Sequence, residues 1–227
     1  LAMIFSALST LMPLPFLAAF LNLNLSSIFI AIILLLVNYY YALFATFITS
    51  LLVFANPGAA QWIGVIVNFF STFIFISVLY LINLFFIKKT ISNDKTLYSG
   101  LNYSLHYTAE IFAVITTSLI LSTLNGLIFT PLLLWQFPSF GITLSAPSFI
   151  EMMNIYNSAG PPTHLLFFGI PDYWAGIFAL YMAFNLFNFT LCSIGITAAK
   201  TFIIKSGILT KMSHKNLGGL LWKISNI

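Results

Sequence analysis

With 227 residues, 60% of them hydrophobic and only 5% charged, the chain has far less charge than the about 25% that a soluble domain carries, which excludes an ordinary water-covered globule. Its formal charge of +4 comes from lysines alone, with no arginine anywhere. Those lysines flank apolar stretches, which excludes a nucleic-acid surface and marks them as topology determinants. The single cysteine, Cys192, lies in an apolar run and reads as a small buried hydrophobe, excluding an internal disulfide or a thiolate metal cluster.

A helix needs about 20 apolar residues to cross a hydrocarbon core of about 30 Å. That criterion predicts an all-α, polytopic transmembrane helix bundle of about five spans, one membrane domain over residues 1–227. Residues 2–22 are apolar but carry Pro13 and Pro15, so this stretch spans with a kink or lies at the interface. It lacks the basic leader of a signal peptide. The chain opens on Leu1, which a non-standard start or a trimmed N-terminus would each explain. A second span covers 27–54 and stops at the turn signal Asn56-Pro57-Gly58. A third covers 60–87 and ends at Lys88 and Lys89, before a polar connector holding Asp94 and Lys95.

The fourth span covers 104–130, ending before Pro131. Residues 135–172 hold Pro138, Pro147, Pro161, Pro162 and Pro171, so no continuous helix crosses there. The stretch Phe149 to Tyr156 within it suits a short interfacial helix. The fifth span covers 173–199, and a lysine-bearing tail, 200–227, follows. The lysine tracts 88–95 and 200–223 are separated by two spans and fall on one side, the cytoplasm or an organelle matrix by the positive-inside rule. The loop 135–172 then faces the other compartment. Lys88, Lys89, Trp135, Trp174 and Trp222 read as interfacial anchors.

Glu110 is the only acidic residue well inside a predicted span. A carboxylate at membrane depth costs roughly 2.5–3.5 kcal/mol on insertion scales, which makes Glu110 a candidate for lipid binding or proton access. The alternative is a structural group hydrogen-bonded to a neighbouring helix. His106 stands one turn before it, at the i, i+4 spacing that lets two side chains share a face. Asp172 opens the last span, where a carboxylate caps backbone N–H groups. Ser71, Thr72, Asn83, Ser118, Ser122, Asn125, Asn185 and Asn188 are placed to bond between helices. The phosphate-binding glycine loops, paired-cysteine motifs and H-E-x-x-H are absent. No metal site and no catalytic set follow from this chain alone.

Phe, Ile, Leu, Asn and Lys crowd the sequence, and their A/T-rich codons predict an A/T-rich, organelle-type genome. Between 98 and 164 the order of landmarks resembles subunit III of cytochrome c oxidase. Gly100-Leu101-Asn102-Tyr103 leads into the span bearing Glu110. Trp135, Pro138, Gly141-Ile142, Leu144, Pro147 and Asn154 follow in that family's order. Ser158, Gly160, Thr163 and His164 look like its next element. The resemblance implies a redox-free subunit that buttresses a catalytic subunit and holds lipid, with Glu110 near lipid or the proton entry. A shorter stretch, Gly160-Pro161-Pro162-Thr163-His164 with Pro171-Asp172, looks like antiporter-like NADH dehydrogenase subunits, whose intramembrane lysine has no match beside it here.

The expectation is a non-redox subunit of a mitochondrial respiratory complex, most like cytochrome c oxidase subunit III. It would be a multi-pass protein of the inner membrane, with other membrane subunits and phospholipid as partners and no cofactor of its own. A membrane-arm subunit of NADH dehydrogenase and an independent transporter are the alternatives. The last would require a polar pathway or a broken-helix site.

Overall fold

Residues 27–54, which the sequence reads as one span, form two helices. The computed structural model describes residues 24–52, 61–92, 101–139 and 141–205, with side chains within 24–52, 62–85, 108–139 and 141–203. The expected first span, the Asn56-Pro57-Gly58 turn, the centre of the polar connector and the tail beyond 205, with Trp222, lie outside these residues.

Helix α1 (Ser26–Leu36) ends at Val37, and α2 (Tyr39–Leu51) begins after Asn38. Asn38 explains the break. Its backbone is extended and its side chain accepts the Tyr41 N–H at 3.0 Å, so the sequence supplies an N-cap inside an apolar run. At 1.5 Å per residue the two helices are only about 16 and about 20 Å long, each short of a full crossing.

Contacts with α3 (Gln61–Ser92) fix their directions. Ser27 meets Thr72, Tyr39 meets Ser77 and stacks on Tyr80, and Phe47 meets Phe69. The chain thus runs along α3, reverses at Val37-Asn38 and returns, a helical hairpin that the uniform hydropathy of this stretch conceals. Apolar composition reports burial or lipid; it does not report direction.

Helix α4 (Leu101–Leu124) passes through a π-helical turn, Asn125–Phe129, into α5 (Thr130–Gln136). The sequence stops this span before Pro131, yet the helix continues past it. Proline lacks an N–H and its ring crowds the carbonyl four residues back. The wide turn resolves the conflict, with the Thr130 N–H bonding the Asn125 carbonyl five residues earlier. After the cap, α8 (Tyr173–Ile177) runs through a second π-helical turn, Phe178–Met182, into α9 (Ala183–Lys205).

Among the described residues, three helices are long and apolar enough to cross a membrane, Trp62–Phe85, Thr108–Gln136 and Tyr173–Ile203. Among the described residues no strand occurs, and the chain is an all-helical membrane-type protein; of the about five expected spans, 27–54 is instead a hairpin of two short helices and 2–22 lies outside the described residues. Phe70 lies against Phe129, and Asn185 bonds Ser122. Helices α3 and α9 therefore both run antiparallel to α4, and their C-terminal ends share one end of the bundle.

The first core joins α1, α3, α4 and α9 through Ile30, Leu34, Phe75, Leu79, Ala113, Leu121, Phe189 and Ile196. Phe75 and Phe189 stack at 4.7 Å. Gly195 lets α9 approach α1 closely, since a Cβ there would sit 2.7 Å from Ile28 Cδ1.

The second core lies at the other end, under the segment 137–172. Helix α6 (Phe149–Ser158), as the sequence expects, is followed by α7 (Pro161–His164) and a 3-10 turn, Leu165–Phe167. Met152, Tyr156, Phe167, Tyr173 and Ile177 pack there with no exposed surface.

Candidate functional site

Ser193, Thr197 and Lys200 fall at i, i+4 and i+7 of α9, a spacing that puts them on one helix face. Glu110 of α4 faces that stripe. Its Oε1 forms an ion pair with Lys200 Nζ, and its Oε2 accepts from Ser193 Oγ at 2.9 Å and Thr197 Oγ1 at 2.7 Å. Glu110 is 3% exposed and Lys200 8%.

A buried pair survives desolvation only where further hydrogen bonds satisfy the charges. Two hydroxyls do so here for the carboxylate. The arrangement joins one proton-accepting and one proton-carrying group inside an apolar bundle, where moving either charge changes the electrostatics of the whole interface.

This corrects the sequence reading of Lys200, which placed it in a tail beyond the last span. Helix α9 continues to Lys205 instead of ending at 199, and the lysine at its last turns folds back onto the bundle. The signal was present: one acid inside a span, and one lysine on the same helix face as Ser193 and Thr197.

The other expected site residues fare differently. His106 lies in α4, and Lys88 and Lys89 lie in α3, but their side chains are outside those described. Trp135 lies in the last turn of α5 and is 42% exposed. Trp174 is half-buried and packs against Phe149, and a Cβ on Gly126 would meet its ring at 2.8 Å, so it joins the second core rather than standing only as an anchor. Among the described residues no group of three His, Cys, Asp or Glu could hold a metal.

A second polar cluster surrounds Asn24, before the first turn of α1. The Asn24 backbone N–H donates to Asn188 Oδ1 at 2.9 Å, and its amide donates to Thr72 Oγ1 at 2.8 Å and to Asn68 Oδ1. Ser26 donates to Asn24 Oδ1, and the Cys192 thiol reaches the Asn24 carbonyl at 3.5 Å. Asn188 lies midway along the third span, so non-helical backbone stands at membrane depth with its polar groups satisfied by α3 and α9. Such backbone is tolerated only inside protein or beside a polar cavity. Thr72 and Asn188 were expected to bond between helices; Asn24, Ser27 and Asn68 were missed. Ser122 and Asn185 bond each other, whereas Asn83 donates to the Leu79 carbonyl of its own helix.

In the cap, Asp172 accepts the Ala175 N–H at 2.7 Å, as its position predicts. Glu151 accepts from the Ser145 backbone N–H and hydroxyl, both at 2.8 Å, and these bonds hold its carboxyl below the ordinary range. Burial, with a smaller contribution from Asp172, pushes the Tyr156 hydroxyl up to about 12. That hydroxyl donates to the Ile170 carbonyl at 2.6 Å.

Fold and site together define a polytopic helical membrane protein with an ion pair and an amide cluster inside its bundle. It is 36% identical over 204 residues to a Mycoplasma pneumoniae protein named "Uncharacterized protein MG350.1 homolog", covering 89% of this chain and 82% of that one. The chain belongs to the family of that protein. A Mycoplasma genitalium protein, "Uncharacterized protein MG350.1", is 40% identical over 60 residues, 26% of each chain. No family model and no solved structure matches the chain. These relatives are bacterial and Mycoplasma has no mitochondria, so they lend no support to a mitochondrial membrane or respiratory complex.

Proposed function

We propose that this chain is a transport protein of a bacterial cell membrane that moves protons, or a small solute coupled to them, through the interface of α3, α4 and α9. The observation that carries the reading is the buried Glu110–Lys200 pair with its two hydroxyl donors. Ionisable groups inside spans mark ion and proton pathways by default. The Asn24 cluster gives support, since its amide and backbone groups place polar contacts with α3 and α9 inside the bundle. The transporter alternative required a polar pathway, and the buried Glu110–Lys200 pair and the Asn24 cluster support it by placing polar groups inside the bundle.

The test is proton flux in proteoliposomes carrying an internal pH dye and an imposed pH gradient. The wild type is expected to dissipate the gradient faster than empty vesicles. Glu110→Gln is expected to abolish the excess, and Glu110→Gln with Lys200→Met to recover stability without recovering flux. Equal rates with and without protein, or a stable double variant with full flux, would overturn the proposal.

A second reading is a non-redox subunit of a larger membrane complex, as the subunit III resemblance implies, with phospholipid between subunits. The bare outer face of the hairpin favours it: Tyr40 is 79% exposed and Phe44 66%. A tyrosine hydroxyl on a lipid-facing surface wants a polar partner. Native mass spectrometry from mild detergent separates the two, since only the complex reading requires other chains to stay bound.

A further inference from the structure

Among the described residues, the other buried hydroxyls in this bundle are paired. Thr46, Ser50 and Ser122 donate to carbonyls four residues back, Ser27 pairs with Thr72, and Thr130 pairs with Tyr181. Thr117 Oγ1 and Ser118 Oγ, on adjacent residues of α4, are fully buried with no hydrogen-bond partner in the protein. Neither turns back to its own helix, although that is the usual recourse of a serine or threonine there. An unpaired buried hydroxyl costs about 1–3 kcal/mol, and two in succession call for a partner from outside the chain.

Their position narrows what that partner is. Thr117 lies seven residues beyond Glu110, two turns along α4, so the two share a face about 10 Å apart. Ser122 is the next turn beyond Ser118 and bonds Asn185. The hydroxyls therefore stand between the ion pair and the next polar contact of the α4–α9 interface. Their buried neighbours on α4 are Ala113, Val114 and Leu121. A site offering two neutral donor–acceptor groups among apolar side chains suits a small uncharged ligand that both gives and takes hydrogen bonds.

We infer that Thr117 and Ser118 seat a buried water molecule in the middle of α4, a hydrated step between Glu110 and the centre of the bundle. Only the use of this water in proton movement rests on the transport reading; the seat itself does not. Buried waters typically make about three hydrogen bonds, and two hydroxyls with a helix carbonyl supply them.

The test is radiolytic labelling of the full chain in proteoliposomes, soaked in ¹⁸O-water and read by mass spectrometry. Side chains beside bound water take up the label. The expected result is label on the 113–121 stretch of the wild type. It should fall several-fold in Thr117→Val with Ser118→Ala and persist in Thr117→Ser, which keeps the hydroxyl if the double variant fails to fold. Melting of the double variant should not rise above wild type. Absence of label in the wild type, label unchanged in the double variant, or a raised melting temperature from removing unpaired hydroxyls would each overturn the inference. A labelled seat without proton flux sinks the transport reading alone; flux without a labelled seat sinks the seat alone.

Discussion

The two cores of the molecule bury polar groups in opposite ways. Around α1, α3, α4 and α9 the apolar packing encloses an ion pair, an amide cluster and two hydroxyls without protein partners. Around α6, α8 and the 3-10 turn, aromatic rings pack edge to face, as Tyr156 does with Tyr173 at 5.8 Å. There each buried phenol ends on a backbone carbonyl or a hydroxyl. The cap spends its polar groups on holding shape. The bundle carries polarity that shape alone does not require, and function is to be sought there.

The sharpest way to break this contrast is Glu110→Ala. Lys200 would be left buried and unpaired, which costs about 3–5 kcal/mol. Melting in detergent should drop accordingly, with hydrogen exchange quickening in α4 and α9 and little change in the cap. Asn188→Leu should cost less, about 1–3 kcal/mol, because it strands the Asn24 backbone N–H. Its loosening should appear in α1.

Tyr173→Phe probes the joint between the regions, where the phenol donates to the Gly126 carbonyl at 2.6 Å inside the π-helical turn. A loss of about 1 kcal/mol is expected, shared by cap and bundle. The smallest effect belongs to Glu151. Its carboxyl is held below the ordinary range by Ser145, so the staple is present at neutral pH and lost as acid carries the pH down through the lowered value. Amide exchange near 145–151 should quicken only in acid, and Glu151→Gln should remove that dependence.

What was legible in the sequence follows from the same physics. Long apolar runs announce helices, and the cap at Asp172 announces where one starts. Reversal of direction at Asn38 was hidden, because both arms of the hairpin are apolar and the capping side chain looks like any polar residue in a span. Pro131 misled, since a π-helical turn absorbs it. Glu110 stood out as a lone carboxylate. Its partner did not, because a lysine near a span end looks the same whether it reaches out to headgroups or folds back onto a neighbouring helix. Asn24 and Asn68 act only through tertiary contact, which no local pattern reports.

Glu110 and Lys200 meet as one unit inside the bundle. A double-mutant cycle on melting stability, with Glu110→Gln, Lys200→Met and both together, measures this directly. The prediction is that the double variant is more stable than either single one, with a coupling of about 2 kcal/mol. Losses that simply add would show that the two side chains do not meet, and would contradict it.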